Sequence, residues 1–275
     1  MRRTVRGAGA LVAVGALVIG LGACSDGDDD EAATGSDGEA AGLSADGDGG
    51  DAAAFCAAAT EVDEVSLGLE AGETTPDDME AAMQAALDVT PAALTDQVTT
   101  LIDETTAMMA AEETADPEGP PPLPTDEYMA AAEDVGGFLS SDCGFETLDV
   151  ETQNYAFSGI PDEVPAGTTV INVRNGATEI HELALMKIAD GETRPVEELM
   201  ALPEEEVGQI VTEKAFVIAM PGGANFATAD LDPGRYVGLC FVPVGATPEA
   251  LASGTPIDDS DPHAMHGMIA EFTVT

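Results

Sequence analysis

The spacing of apolar and polar positions changes character twice along the chain. From Ala52 to Phe145, Ala, Leu and Met recur at helical spacing with acidic residues between them. Thr75-Pro76-Asp77-Asp78 and Thr90-Pro91 each set a capping hydroxyl before a proline that the first turn of a helix tolerates. The pattern predicts helices over 52 to 69, 76 to 88, 91 to 114 and 126 to 141, with Pro120-Pro121-Pro122 breaking the run. Four short helices make a small bundle. After Phe145 the period falls to two: Tyr155 to Phe157, Val164 to Val173 and Leu183 to Ile188 alternate, broken by Pro and Gly, as strands of a sandwich or barrel do. Arg194 to Ile210 reads as a helical insertion, and Pro221-Gly222-Gly223 and Asp232-Pro233-Gly234 as turns. The organisation is therefore a small all-α bundle at 52–145 followed by an all-β domain at 152–275.

Before these lies a different kind of chain. Residues 1–23 have a basic start, an apolar run from Ala8 to Leu21 and small residues at the end, the three parts of an export signal. The run is short for a membrane span. Leu21-Gly22-Ala23-Cys24 resembles the lipobox of bacterial lipoproteins, which implies cleavage before Cys24, lipidation of its sulfur and an extracytoplasmic, membrane-anchored protein. Residues 24–51 then contain almost nothing but Asp, Glu, Gly, Ala and Ser, too polar to offset the entropy of ordering, and read as a disordered acidic tether.

Charge narrows the partners. The 275 residues carry 53 Asp and Glu against 8 Lys and Arg, a net charge of -45. Three of the eight are Arg2, Arg3 and Arg6 in the export signal, and 52–145 has none. Such a surface repels phosphate backbones, which excludes nucleic acid as a partner. It suits a salty medium or a simply solvating surface equally well.

Four cysteines remain to be placed. Cys56 falls near the start of the first predicted helix and Cys143 just after the last, so a disulfide between them is expected outside the cytoplasm. With Cys24 lipidated, Cys240 is left unpaired, either a buried structural thiol or a ligand. All three histidines, His181, His263 and His266, fall in the β domain with it. Two imidazoles, a thiolate and the weaker thioether of Met268 form the donor set that suits copper cycling between its two oxidation states.

The same stretches resemble the cupredoxins, plastocyanin-like proteins in particular. Pro165-Ala166-Gly167 precedes a strand ending at Asn175, His181 follows, Gly234-x-Tyr236-x-x-x-Cys240 comes next, and Pro262-His263 leads to Gly267-Met268 and a terminal strand. The resemblance implies a Greek-key β-sandwich with one copper ion held by His181, Cys240 and His263, Met268 lying axially. His266 is an alternative ligand, an electron port or a plain loop residue; Met265 lacks the family spacing. In one respect the chain departs from the pattern: Phe241 to Pro262 place 22 residues between Cys240 and His263, read as a surface loop bulging out between the two. The expectation is an exported, lipid-anchored copper protein passing single electrons to a redox partner protein. The alternative is a metal-free or copper-delivery module whose helical part docks a partner. No nucleophile triad, catalytic carboxylate pair or phosphate loop points to an enzyme.

Overall fold

The computed structural model describes residues 52–114, 122–255, 257–258 and 260–275. The export signal, Cys24, the tether, and Pro120 and Pro121 of the expected break lie outside these residues. Among the described residues, no helix is long and apolar enough to cross a membrane.

Four helices come first: α1 (Ala52–Ala71), α2 (Pro76–Asp88), α3 (Thr95–Thr114) and α4 (Asp126–Asp142). Thr75 caps α2 through a reciprocal box, its hydroxyl accepting from Asp78 N–H at 3.3 Å while Asp78 Oδ2 accepts from Thr75 N–H at 2.9 Å. Thr125 caps α4 in the same sense, accepting from Tyr128 N–H at 3.1 Å. The Thr90-Pro91 signal misleads by four residues. Thr90 Oγ1 donates back to Ala86 O at 2.7 Å, so the hydroxyl closes α2 instead of opening α3, and Pro91 to Leu94 form a separate turn.

The β domain is a two-sheet sandwich. One sheet has the order β2 (Ala156–Ser158), β1 (Glu146–Gln153), β4 (Gly167–Asn175), β7 (Ala224–Leu231), with β1 and β4 parallel. The other has β3 (Glu163–Val164), β9 (Ile269–Val274), β8 (Gly234–Leu239), β5 (His181–Ile188), β6 (Val211–Ala219). The chain crosses between the sheets from β2 to β3, from β3 to β4, from β4 to β5, from β6 to β7 and from β7 to β8, giving a cupredoxin-like sandwich. Leu148, Ile171 and Val173 of the first sheet meet Leu183, Leu185, Val217 and Phe272 of the second in the core. Tyr236, wholly buried, stacks on Phe272 and donates its hydroxyl to Asp232 O at 3.0 Å. The sandwich starts at Glu146, ahead of the expected residue 152. The 194–210 insertion is two short helices, α5 (Val196–Met200) and α6 (Glu204–Val207), separated at Pro203.

The helical part is not free-standing. Helices α1 and α4 lie on β7, and Phe55, Val135 and Leu139 close over Val170 and Phe226 on the outer face of the first sheet. This is why β4 is buried on both faces, Val170 outward and Ile171 inward, where a half-covered strand would alternate. Gly136 makes the approach possible: a Cβ there would lie 2.9 Å from Asn172 Oδ1 and 3.1 Å from Phe226 Cβ. Cys56 and Cys143 form the expected disulfide, their Cα atoms 5.6 Å apart.

Between helix and sheet, Asp63 of α1 accepts from Thr228 of β7 twice, from its N–H at 2.8 Å and its hydroxyl at 2.6 Å. Burial raises its pKa from 3.8 to about 6, against the pull of those hydrogen bonds. The fold holds this proton more tightly than the unfolded chain, so the contribution of Asp63 to stability is fully present below the unfolded value and is lost as pH rises through about 6. Asp63→Asn should remove roughly 2 kcal/mol of that loss between pH 4 and pH 7. Urea melts of both proteins at the two pH values measure it; parallel behaviour of wild type and variant would refute it.

Candidate metal centre

Three chain segments converge at one end of the sandwich. His181 opens β5, and the turn before it is held by Asn175, whose Nδ2 donates to Glu179 O and Ala219 O, both at 2.8 Å, while its Oδ1 accepts from Ala177 N–H at 2.8 Å. Cys240 follows directly on β8, and its Sγ accepts from Glu182 N–H at 3.4 Å. His263 begins a short 3₁₀ turn, His263–His266, closed by Gly267 in the left-handed region at φ 99°. Only glycine takes that conformation without strain, and it returns the chain so that Met268 N–H donates to His263 O at 3.2 Å before β9 begins.

The segment between Cys240 and His263 behaves differently from the expected surface loop. Its neck is zipped: His263 N–H donates to Val242 O at 2.9 Å, Ala264 N–H to Cys240 O at 2.9 Å and Val244 N–H to Asp261 O at 3.0 Å, with Pro243 and Pro262 opposite each other. Beyond the neck, α7 (Pro248–Ala252), capped by Thr247, folds back so that Val242, Ala246 and Leu251 are buried with Cys240 and Met268. The apolar residues of an otherwise Gly- and Pro-rich stretch thus roof the site. The 22 residues close like a short hairpin where it matters, at the ligands.

His181, Cys240, His263 and Met268 are each wholly buried. Cys240 Sγ lies 3.4 Å from His263 Nδ1 and 3.8 Å from His181 Nδ1, and one ligand atom from each of the three residues falls within 4.8 Å of the others. Met268 shares the apolar cluster of Cys240. His266 is not part of this group; its ring is half-exposed, 2.7 Å from Asp261 Oδ1. Met265 is 67% exposed, turned away from the ligands.

Around the donors sits a polar frame that the sequence reading did not single out. Glu179 Oε2 is 3.0 Å from His263 Nε2 and accepts from Gly245 N–H at 2.6 Å, and its Oε1 accepts from Tyr155 O–H at 3.2 Å. One carboxylate thereby ties the β1–β2 turn, the run into β5 and the loop neck to a single imidazole. With Nε2 donating to Glu179, the Nδ1 lone pair of His263 faces Cys240. The Tyr155 ring packs 4.8 Å from His263 and 5.2 Å from His266, with the backbone of Tyr155 at φ 57°. Glu182, buried beside His181, accepts from Phe241 N–H at 2.8 Å. Glu179 lies two residues before His181, and that proximity was the available signal.

Burial sets the protonation states. It pushes His181 down to about 4, helped by the neighbouring His263. It lowers His263 too, although Glu179 pulls the other way. Both rings are neutral near pH 7, the form that ligates metal. Cys240 is pushed up to about 12 by burial and then by Glu182, so its thiol keeps the proton until something displaces it. Glu182 is itself raised to about 7 by burial. Glu179 resists the same effect: the Gly245 N–H and then His263 outweigh burial and keep its pKa below the ordinary value. Among the described residues the site is thus lined by two neutral nitrogen donors and one sulfur whose ligand atoms lie within 4.8 Å of one another. His181 Nε2 is a buried ring nitrogen with no hydrogen-bond partner. That donor set fits a borderline-soft metal of low coordination number and fits neither Mg²⁺ nor Ca²⁺, which require oxygen.

No protein-family model and no curated protein matches the chain. Among solved structures it is similar to dithionite-reduced auracyanin from the photosynthetic bacterium Roseiflexus castenholzii, at 22% identity and a TM-score of 0.30, over 47% of this chain and 96% of that one. Auracyanin A from Chloroflexus aurantiacus, described as a blue copper protein, aligns at 17% identity and a TM-score of 0.28, over 48% of this chain and all of that one. The McoA multicopper oxidase of Aquifex aeolicus aligns at 12% identity and a TM-score of 0.26, over 48% of this chain and 30% of the oxidase.

Proposed function

We propose that this chain is an exported, lipid-anchored one-electron carrier. In this reading His181, Cys240 and His263 hold a copper ion with Met268 as the weaker fourth donor, and Cys24 carries the lipid. The observation that carries it is the approach of two buried imidazole Nδ1 atoms to one buried free thiol, at 3.4 and 3.8 Å. A copper ion bound there supplies a one-electron couple, because thiolate and thioether favour the cuprous form while imidazole accommodates both. The protein's part is to hold the donors still and keep water out. Asn175 fixes the approach to His181, the zipped neck fixes His263 against Cys240, and α7 with Met268 closes the cavity to solvent. A net charge of -45 favours a positively charged redox partner protein.

The test is titration of the full-length protein in detergent with Cu(II). An intense visible absorption from the Cys240 thiolate, saturating at one copper per chain, supports the proposal; a colourless protein sinks it and leaves a metal-free or copper-delivery binding module. Because the thiol holds its proton up to about 12, binding near pH 7 should release about one proton per copper, read as the buffer dependence of the calorimetric enthalpy. Glu179→Ala should cut copper affinity about 10- to 100-fold, since it frees both the His263 ring and the Gly245 neck. Glu179→Gln, which can still accept from Gly245, should retain more of it. Competition against a chelator ranks the three, and equal affinities would show that the neck alone positions His263.

A further inference from the structure

The interface between helices and sandwich leaves a half-open cavity of about 240 Å³, apart from the metal site. Its walls come from α1, α2, α3 and α4 on one side and from β6 and β7 on the other, and they are mainly apolar or aromatic, with Phe55, Tyr128, Phe216 and Phe226 around the space and Met79 and Met83 across it. A cavity of roughly 150 Å³ admits a benzene ring, so this one has room for a small aromatic body. One charged side chain lines it: Asp63. Both of the carboxylate's bonds to Thr228 fall on Oδ2, the N–H at 2.8 Å and the hydroxyl at 2.6 Å, and both donors are neutral. No Lys, Arg or His contributes to the lining, and residues 52–145 contain no Lys or Arg at all. The cavity thus offers an aromatic-walled space with an anion that has hydrogen-bond partners and no counter-ion.

We infer that this cavity binds a small aryl- or alkyl-ammonium molecule, its apolar body between helices and sheet and its cationic head on Asp63. The field of a protein with a net charge of -45 draws cations and excludes carboxylates, and an apolar body recovers the contacts an empty cavity forgoes. Aromatic walls add the attraction of ring faces for an ammonium group. Flexible Met79 and Met83 let the pocket adapt to the body's shape. The site is independent of the metal reading, since none of its residues is a proposed ligand.

The full-length protein, with and without copper, is titrated with 2-phenylethylamine, 2-phenylethanol and 3-phenylpropanoate by calorimetry and by ligand-observed NMR. The amine should bind saturably at one per chain, at least about tenfold tighter than the alcohol, and the carboxylate should not bind. Asp63→Asn keeps an oxygen for Thr228 and should bring the amine down to the alcohol's affinity. Met83→Phe fills the space and should abolish binding of both while Asp63 stays in place. No saturable binding of the amine, or an amine affinity unchanged in either variant, overturns the inference, the latter by placing the amine on the acidic surface.

Discussion

Cys240→Ser is expected to erase the visible thiolate absorption of the copper-loaded protein and to weaken Cu(II) binding by at least about 100-fold. The hydroxyl is too weak an acid to ionise beside a metal in a dry site, and it removes the one soft anionic donor of the set. No other thiol can replace it: among the described residues Cys240 is the free cysteine, and a nearby carboxylate such as Glu182 is a hard donor that gives no thiolate absorption. The same substitution should take proton release on copper binding from about one to near zero, because the proton lost is the one that burial holds on the sulfur. Folding should survive. Ser is smaller, and the backbone at this position is secured through Ala264 N–H to Cys240 O at 2.9 Å, a bond the side chain does not make. Met268→Leu provides the contrast, preserving volume, absorption and stoichiometry while altering only the weak fourth donor, so it should move the reduction potential and leave the colour. A Cys240→Ser protein that stays coloured would place copper elsewhere and refute the assignment.

Much of this arrangement was legible from residue order, for reasons that differ from element to element. Helix α2 announces itself because Thr75 satisfies a backbone donor locally, and local chemistry survives in the sequence; the equivalent cap of α4 by Thr125 was not singled out. Strands β4, β5 and β9 show through their β-branched and alternating residues. The three histidines and the unpaired Cys240 stand out because the β domain holds few soft or imidazole donors, whereas Met268 could be picked from eleven methionines only through the spacing it shares with the cupredoxins it resembles. What escaped was whatever depends on distant partners. Thr90 looked like a cap and is spent on Ala86, a choice made by how α2 meets the following turn. The outward burial of Val170 follows from a helical layer arriving from elsewhere in the chain. The role of Glu179 exists only once Tyr155, Gly245 and His263, spread over more than a hundred residues, meet at its two oxygens. The loop of 22 residues misled most, because its Gly, Pro and Ser content describes the tip and conceals the zipped neck. Loop-closure cost grows only slowly with length, so an insertion there costs the site little if its base is paired.

Removing the Cys56–Cys143 disulfide should have the largest effect on stability, about 4.5 kcal/mol in the chain-entropy picture for a closed loop spanning 87 residues. The bond joins the first turns of α1 to the end of α4, so its loss releases the N-terminal end of the whole helical layer. What then holds α1 is modest: Phe55 edge-on to Phe138 at 5.8 Å, the Asp63 bonds to Thr228, and apolar contacts around a cavity that leaves part of the interface unfilled. In Cys56→Ala/Cys143→Ala the loss should therefore be uneven. Amide protons of α1 should lose protection well before those of β5 and β8, which belong to the sandwich core. Copper absorption should persist under conditions where α1 already exchanges, since the three closest donors come from β5, the end of β8 and the turn before β9. Helix α4 is the link between the two, because Met129 packs in the same cluster as Cys240 and Met268. If α4 followed α1 into solution, the absorption would fade in step with it. Exchange measured with the absorption read in parallel decides the matter: a single cooperative loss of both means that helices and sandwich fold as one unit, and a destabilisation under about 1 kcal/mol means that the layer is held by its contacts with the sheet rather than by the bond.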